Sequence, residues 1–591
     1  MERYAEKQKY LMIYTREPVA GEYPAALAGS IHLAVSGDGR HFEPLNRNYG
    51  ILFARGKVRE DDTIAPKALR NPRCFRMADG RFAITATRTQ EDGSPDTETD
   101  ITLLWTTEDF ITFREEEAEM LDGLKPDGRG DFDREIVPEA LTAVSSGLAD
   151  CSVTEVFATS SSCGAAQCSV IALEASVCDR AALHWGGIIC VGVRVPAQIT
   201  ASLADEVRSV EAQAVYSDGS TAAKPVDWEL DGVSFDREGT YRIRGRVRGA
   251  QYRFPLARGY GDPVIFPWEG RWYFIATNDN LNDIGLYLRV ADEVPGLFAE
   301  GIQEHLFLGL DEEKGFVQTF WAPEFHVIGG ELYILFAVSG TKWGPQCHLM
   351  KLKKGASLTD PEGWEQPVRV CRRDGSPLSE DGITLDMTYL NAAGRSYFVW
   401  SYRRNIGTAM DTGSMLFIAA ADEREPWKLA GDPVLLSRPL YGWENMEGTI
   451  NNEGPNAFVC GGKVYLTYSG GAANGYSYVV GLLTADETAD LTDPAVWRKR
   501  ETPVLSYYSV PGEFGPGHNS FFTDERRELM IAYHGETAID SDLRSDGIRR
   551  VHFDIHGEPV FDLSAERDLD PALAQVELCV QVTETRTAKR G

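Results

Sequence analysis

From Gly261 onward the sequence repeats one short pattern five times, and no other feature of the chain restricts its fold as strongly. Each copy opens on a polar or aromatic residue, runs through a short strand, turns, and returns in an aromatic-rich strand with a third strand after it. The copies begin at Gly261-Asp262-Pro263, Trp321-Ala322-Pro323-Glu324, Leu385-Asp386-Met387, Asn452-Glu453-Gly454-Pro455 and Gly515-Pro516-Gly517-His518. A period of about 40–60 residues is that of propeller blades, and five blades closed in a ring leave no free sheet edge. The opening residues would then converge on one funnel: Asp262, Trp321 or Glu324, Asp386, Glu453 and His518. The Gly461-Gly462 turn that follows Glu453 reads as a hairpin of the longer-turn kind.

At 591 residues the chain is too long for one core, and the remainder divides by pattern. Residues 1–120 alternate strand and turn and predict a blade-like β module. It carries Asn71-Pro72 where the later repeat has an acid before proline, so it reads as non-catalytic. Residues 121–191 read as a connector, with a loop at Asp127–Asp131, a small-residue run from Thr159 to Cys163 and helical periodicity from Ile171 to Trp185. Residues 192–256 alternate with period two around Trp228, which predicts a small β-sandwich. Residues 257–565 hold the five-bladed β-propeller and 566–591 a C-terminal tail. The expected fold class is all-β throughout.

Asp and Glu number 89 against 59 Lys and Arg, a net charge of −30. That field repels nucleic acid and anionic membrane surfaces, so neither is an expected partner. The 10 cysteines are scattered without C-x-x-C pairs, which reads as free thiols. With no apolar h-region near Met1 and no run long enough to span a bilayer, a cytoplasmic location is the expectation.

Three carboxyls around one axis are costly unless they react or bind metal. Taken together, Gly261-Asp262-Pro263, Trp321-Ala322-Pro323-Glu324, Leu385-Asp386, Trp443-Glu444 with Asn452-Glu453-Gly454-Pro455, and Gly515-Pro516-Gly517-His518-Asn519-Ser520 resemble glycoside hydrolase family 43. The stretch Tyr216-Ser217-Asp218-Gly219-Ser220, with Trp228 and Gly239-Thr240-Tyr241, resembles bacterial immunoglobulin-like modules. The first resemblance implies a five-bladed propeller hydrolase acting on arabinose- or xylose-containing oligo- or polysaccharides. It implies Asp262 as general base, Glu453 as general acid and Asp386 as the residue that holds Glu453 and keeps its pKa high. An inverting enzyme sets its two carboxyls about 6.5–9.5 Å apart to admit water. Phe320, Trp321 and Trp443 are the candidate walls of the sugar pocket, and Arg549, with Arg550 as the alternative, is the implied sugar contact. No cofactor is required for the chemistry. The resemblance admits a structural calcium on the axis beside His518, the alternative being a buried histidine bonded to backbone. The leading expectation is an exo-acting α-L-arabinofuranosidase, with β-xylosidase and a non-catalytic glycan-binding propeller as alternatives.

Overall fold

The computed structural model describes residues 8–77, 79–96, 101–116, 164–541 and 543–583; the expected loop at 127–131 and the run 159–163 lie outside them. Strand dominates. The chain forms two units, one of residues up to 186, 254–522 and 532–547, the other of 187–253, 523–531 and 548 onward.

In the first unit the repeat appears as successive antiparallel sheets, each with its strands in chain order. The first is Tyr260–Trp268, Arg271–Asn278, Leu286–Ala291 and His305–Leu308. The second, third and fourth open on Gln318–Ile328, Gly382–Ala392 and Glu453–Cys460. Each of these also gains a short fourth strand beyond the three that the pattern predicts. A three-stranded sheet opens on Phe514–Thr523. The first hairpins of the four-stranded sheets close through two residues, with Trp268 opposite Arg271, Ile328 opposite Glu331, Ala392 opposite Arg395 and Cys460 opposite Lys463. Both turn residues have positive φ in each case, 58° and 81° at Gly461 and Gly462. That backbone matches strand twist in the tightest hairpins, so the turn after Glu453 is shorter than expected.

One irregularity recurs in every opening strand of the four-stranded repeats. Gly261 and Val264 pair with Thr277 and Ile275, Trp321 and Glu324 with Ala337 and Leu335, Leu385 and Thr388 with Ser401 and Val399, and Glu453 and Asn456 with Ser469 and Thr467. Each strand thus carries one extra residue at this place, a β-bulge that re-aims its neighbours, and Gln318–Ile328 carries another between Gln318 and Trp321. The first residue inside each bulge is left-handed: Asp262 at φ 58°, Ala322 at 46°, Asp386 at 54° and Gly454 at 56°. For the three non-glycines this is a sparsely populated conformation that the surrounding sheet must enforce.

Residues before 187 form two further four-stranded sheets. One opens on Lys67–Arg76 and repeats the bulge between Arg70 and Arg73, with Asn71 at φ 53°. The other has strand Gln8–Arg16 in its interior, paired on one side with Ala165–Glu174. From residue 164 to 186 the supposed connector is therefore part of this module, and 187–191 belong to the second unit: its helical stretch is strand up to Glu174 and helix only over Ala175–Gly186. Leu11, Ile13, Leu69, Ile84, Trp105 and Trp185 share its core. The module packs on the repeat through Tyr23, Leu27 and Phe53, which join Tyr441, Trp443 and Tyr507 in one apolar cluster. Asp62 accepts from both Arg404 and Arg438, at 2.6 and 3.0 Å.

The second unit is a pair of sheets around Val207, Tyr216, Trp228, Ile243 and Val580. Its larger sheet is completed by Gln575–Val582, antiparallel to Gly239–Val247 and parallel to Gln198–Ala201. These residues were expected to be a tail. Instead Leu578, Val580 and Val582 turn inward at every second position and are buried. Among the described residues no helix is long and apolar enough to cross a membrane.

Candidate active site

The bulges bring side chains from different sheets together. Asp262, Asp386 and Glu453 are all buried, 5–8% exposed, and Asp262 and Asp386 each touch a neighbouring repeat. Asp386 Oδ2 accepts from the Gly454 backbone N–H at 3.1 Å, which ties it to the residue after Glu453. His518 Nδ1 lies 3.1 Å from Asp262 Oδ1. Ser520 donates to the Pro263 carbonyl at 2.7 Å, linking the last opening strand to the first. Glu324 accepts from Asn456 at 3.2 Å and meets His326 Nε2 at 2.6 Å, so it is committed to holding sheets together.

The three acids titrate in opposite senses. Burial pushes the Asp262 carboxyl up, but the positive charges of His518 and Arg544 outweigh it and hold it well below the usual range. Arg544 Nη1 donates to Asp262 Oδ1 at 3.0 Å, and Thr277 Oγ1 donates to Oδ2. His534 takes the backbone N–H of Asp262 on Nδ1 at 3.1 Å and meets the Ala473 carbonyl through Nε2 at 3.2 Å. Burial, its largest influence, lowers the pKa of the ring. Glu453 is pushed up to about 7, first by burial and then by the Asp386 charge. Tyr478 donates to its Oε1 at 3.0 Å. Burial, with the Asp262 charge adding to it, raises Asp386 as well, to about 6. The arrangement favours the ionised form of Asp262 and the protonated form of Glu453 within a single site.

Local sequence explains the approach. A Cβ on Gly261 would sit 2.0 Å from the Arg544 guanidinium carbon, so only glycine there lets Arg544 reach Asp262. Gly454, besides its positive φ, faces the His518 ring, 2.8 Å from where its Cβ would be. Glu444 of the Trp443-Glu444 motif is fully buried, bonded by Asn452, Tyr468, the Tyr441 N–H and Lys499. It fixes the residue immediately before Glu453.

The expected binding residues divide. Trp321 is partly exposed and donates from Nε1 to Asp283 Oδ2 at 2.8 Å. Phe320 and Trp443 are fully buried: Phe320 packs with Phe316, Phe325 and Phe336, and Trp443 stacks between Tyr441 and Tyr468. Both are core, not pocket wall. Arg549 donates to the Phe561 carbonyl at 3.1 Å, and Arg550 binds Asp568. The arginine that serves the acids is Arg544, which sequence reasoning missed; it precedes strand Ser545–Arg550, at the end where the strand begins. Tyr478 and His534 were missed too. His518 directs Nδ1 at Asp262, and among the described residues no group of three or more His, Cys, Asp or Glu is arranged to hold a metal ion.

The family described as "Glycosyl hydrolases family 43" matches residues 260–559, and the "Bacterial Ig-like domain (group 4)" matches 210–250. An extracellular exo-alpha-(1->5)-L-arabinofuranosidase of Streptomyces avermitilis is 31% identical over 54% of this chain and 64% of its own length. Alpha-L-arabinofuranosidase B of Pyricularia oryzae is 31% identical over 52% of this chain and 58% of its own. The chain thus spans less than two thirds of either relative. A solved alpha-L-arabinofuranosidase from Lactobacillus brevis is 28% identical, covering 53% of this chain and 97% of that one, with a TM-score of 0.47. Streptomyces relatives are named as extracellular, which lends no support to the cytoplasmic expectation. With the family's match running over half of its residues and through all three acids, the chain belongs to glycosyl hydrolase family 43.

Proposed function

We propose that this chain is an inverting, exo-acting α-L-arabinofuranosidase that trims arabinose from plant-derived glycans, with the sheets from Tyr260 onward closed as a five-bladed propeller. The observation that carries the reading is the opposed titration of Asp262 and Glu453 within one buried site, since acid and base roles follow where environments push two carboxyls apart. Asp262, ionised at neutral pH, takes a proton from the attacking water. Glu453, with its carboxyl pushed up to about 7 and so about half protonated at pH 7, gives its proton to the leaving oxygen. Asp386 is the positioning residue: its carboxylate holds the Gly454 N–H and its charge keeps Glu453 from ionising. The Ser520–Pro263 bond between the last and first opening strands supports ring closure. The sugar and the exo mode are carried over from the relatives' names. The module before residue 187 has Asn71 in its bulge and is assigned no chemistry.

The test is release of product from 4-nitrophenyl α-L-arabinofuranoside and β-D-xylopyranoside, and from arabinan and arabinoxylan, with the product anomer followed by NMR. Cleavage of the arabinoside with inversion is expected. Preference for the xyloside would move the reading to β-xylosidase, retention would reject the water-activation scheme, and binding without turnover would leave a glycan-binding propeller.

A further inference from the structure

A cavity of about 310 Å³ opens beside Arg544, lined among others by Asp279, Asn282, Asp283, Asn474 and Glu536. Arg544 joins it to the acids, because the same guanidinium that donates to Asp262 also grips Asp279 through Nε and Nη2. Asp279 is thereby neutralised, and Asp283 is taken by Trp321. Glu536 is different. It is 2% exposed, it lines the cavity, and its Oε2 is sealed from bulk solvent with no hydrogen-bond partner in the protein. A buried oxygen left in this way costs free energy unless something binds it. The mechanism above makes no use of it.

We infer that Glu536 is a specificity-determining residue that binds a hydroxyl of the neutral sugar lodged on the Asp262 side of the scissile bond. The inference rests on the glycosidase reading and adds a recognition contact to it. The chemistry selects the ligand class. Arg544, the cation among the lining residues, is already taken by Asp262 and Asp279, so an anionic sugar such as a uronate would find no cation to pair with. The volume is at the small end for a binding pocket. The carboxamides of Asn282 and Asn474, both exposed at the rim, both donate and accept, as sugar hydroxyls do. Burial holds the Glu536 carboxyl up to about 7, so near neutrality it too can donate as well as accept.

The test compares wild type with Glu536→Gln and Glu536→Leu on 4-nitrophenyl α-L-arabinofuranoside and its 2-, 3- and 5-deoxy analogues. Glu536→Leu is expected to lose about 10- to 100-fold in kcat/KM on the full substrate, the worth of one hydrogen bond to a chargeable group, and Glu536→Gln less. On the one analogue that lacks the recognised hydroxyl, wild type and both variants should converge. Equal losses on every analogue, or no loss on any, would overturn the inference. Should Glu536→Leu fail to fold, by circular dichroism and Tm, the isosteric Glu536→Gln carries the same comparison. Should wild type not cleave the arabinoside, the function reading fails separately. Calorimetry with L-arabinose and D-xylose then decides: binding weakened in Glu536→Gln sustains the contact, and binding unchanged or absent rejects it.

Discussion

Replacing Glu453 with Gln tests the acid assignment through both leaving group and pH. The substitution keeps the shape of the side chain and its place opposite Tyr478, and removes the transferable proton. With its carboxyl pushed up to about 7, about nine-tenths of Glu453 is protonated at pH 6 and about one-tenth at pH 8. Wild-type kcat/KM on an arabino-oligosaccharide, whose leaving alcohol needs a proton, should therefore fall about tenfold per pH unit above 7. Proton donation is worth about 10²–10⁴ in rate, so Glu453→Gln should lose that much at pH 6. At pH 8, where most wild-type molecules have already lost the proton, the gap should shrink by about tenfold. On 4-nitrophenyl arabinofuranoside, whose leaving group departs without protonation, the loss should be much smaller and the basic limb should flatten. The assay is steady-state kinetics on both substrates from pH 4 to pH 9. A variant that loses equally on both, or that keeps the wild-type basic limb, would refute Glu453 as the proton donor.

The other perturbations act on the groups that set these properties. Asp386→Asn removes the charge that helps hold Glu453 up, so the basic limb of the kcat/KM profile should move to lower pH; an unmoved limb would leave Asp386 no electrostatic role. Gly261→Ala puts a Cβ where Arg544 lies. With that guanidinium displaced the Asp262 carboxyl rises, so its ionised form is lost at higher pH and the acid limb should shift upward, which the same profiles read. Lys499→Met strips buried Glu444 of its cation, a change that costs about 3–5 kcal/mol for a buried pair. The low end is expected, because Asn452, Tyr468 and the Tyr441 N–H still donate to Glu444; urea denaturation measures it.

The period of the repeat was legible because hairpin turns and aromatic strands punctuate the chain at regular intervals, and this was enough to bring Asp262, Asp386 and Glu453 to the same end of their sheets. The register within each strand was not. Asp262 and Asp386 occupy the left-handed residue of the bulge, Glu453 the residue before it and Glu324 the second residue after it. A shift of one residue reverses the face a strand presents, and no local pattern marks which residue a bulge will absorb. That is why Glu324 stood beside the acids in the sequence reading and yet serves as a strut. The aromatics misled for a related reason. Trp443 and Phe320 sit next to motif residues in sequence, but adjacency in sequence does not place a side chain in the site, and both fill the core: Trp443 lies in a short 3-10 helix beside the equally buried Glu444. Strand Gln575–Val582 alternates plainly, yet its partner Gly239–Val247 lies hundreds of residues earlier, and pairing at that separation leaves no local trace.

The sheet opening on Lys67–Arg76 separates what the bulge provides from what the site requires. Asn71 has the left-handed backbone of Asp262 and Asp386, with φ 53° against 58° and 54°, so this fold accepts a short polar side chain there at the same conformational cost. Its surroundings differ. Asn71 is exposed, its N–H donates to Gln167 at 2.7 Å, and Arg70 and Arg73 flank it in the strand. An acid placed in that bulge would be solvated and close to its ordinary pKa, with neither a second carboxyl to raise a donor nor a buried imidazole and guanidinium to depress a base. The bulge aims a residue; the separation of pKa values comes from convergence, in which Asp386 faces Glu453 across one pair of sheets while His518 and Arg544 close on Asp262 from another part of the chain. Chemistry therefore belongs to the set of opening strands acting together.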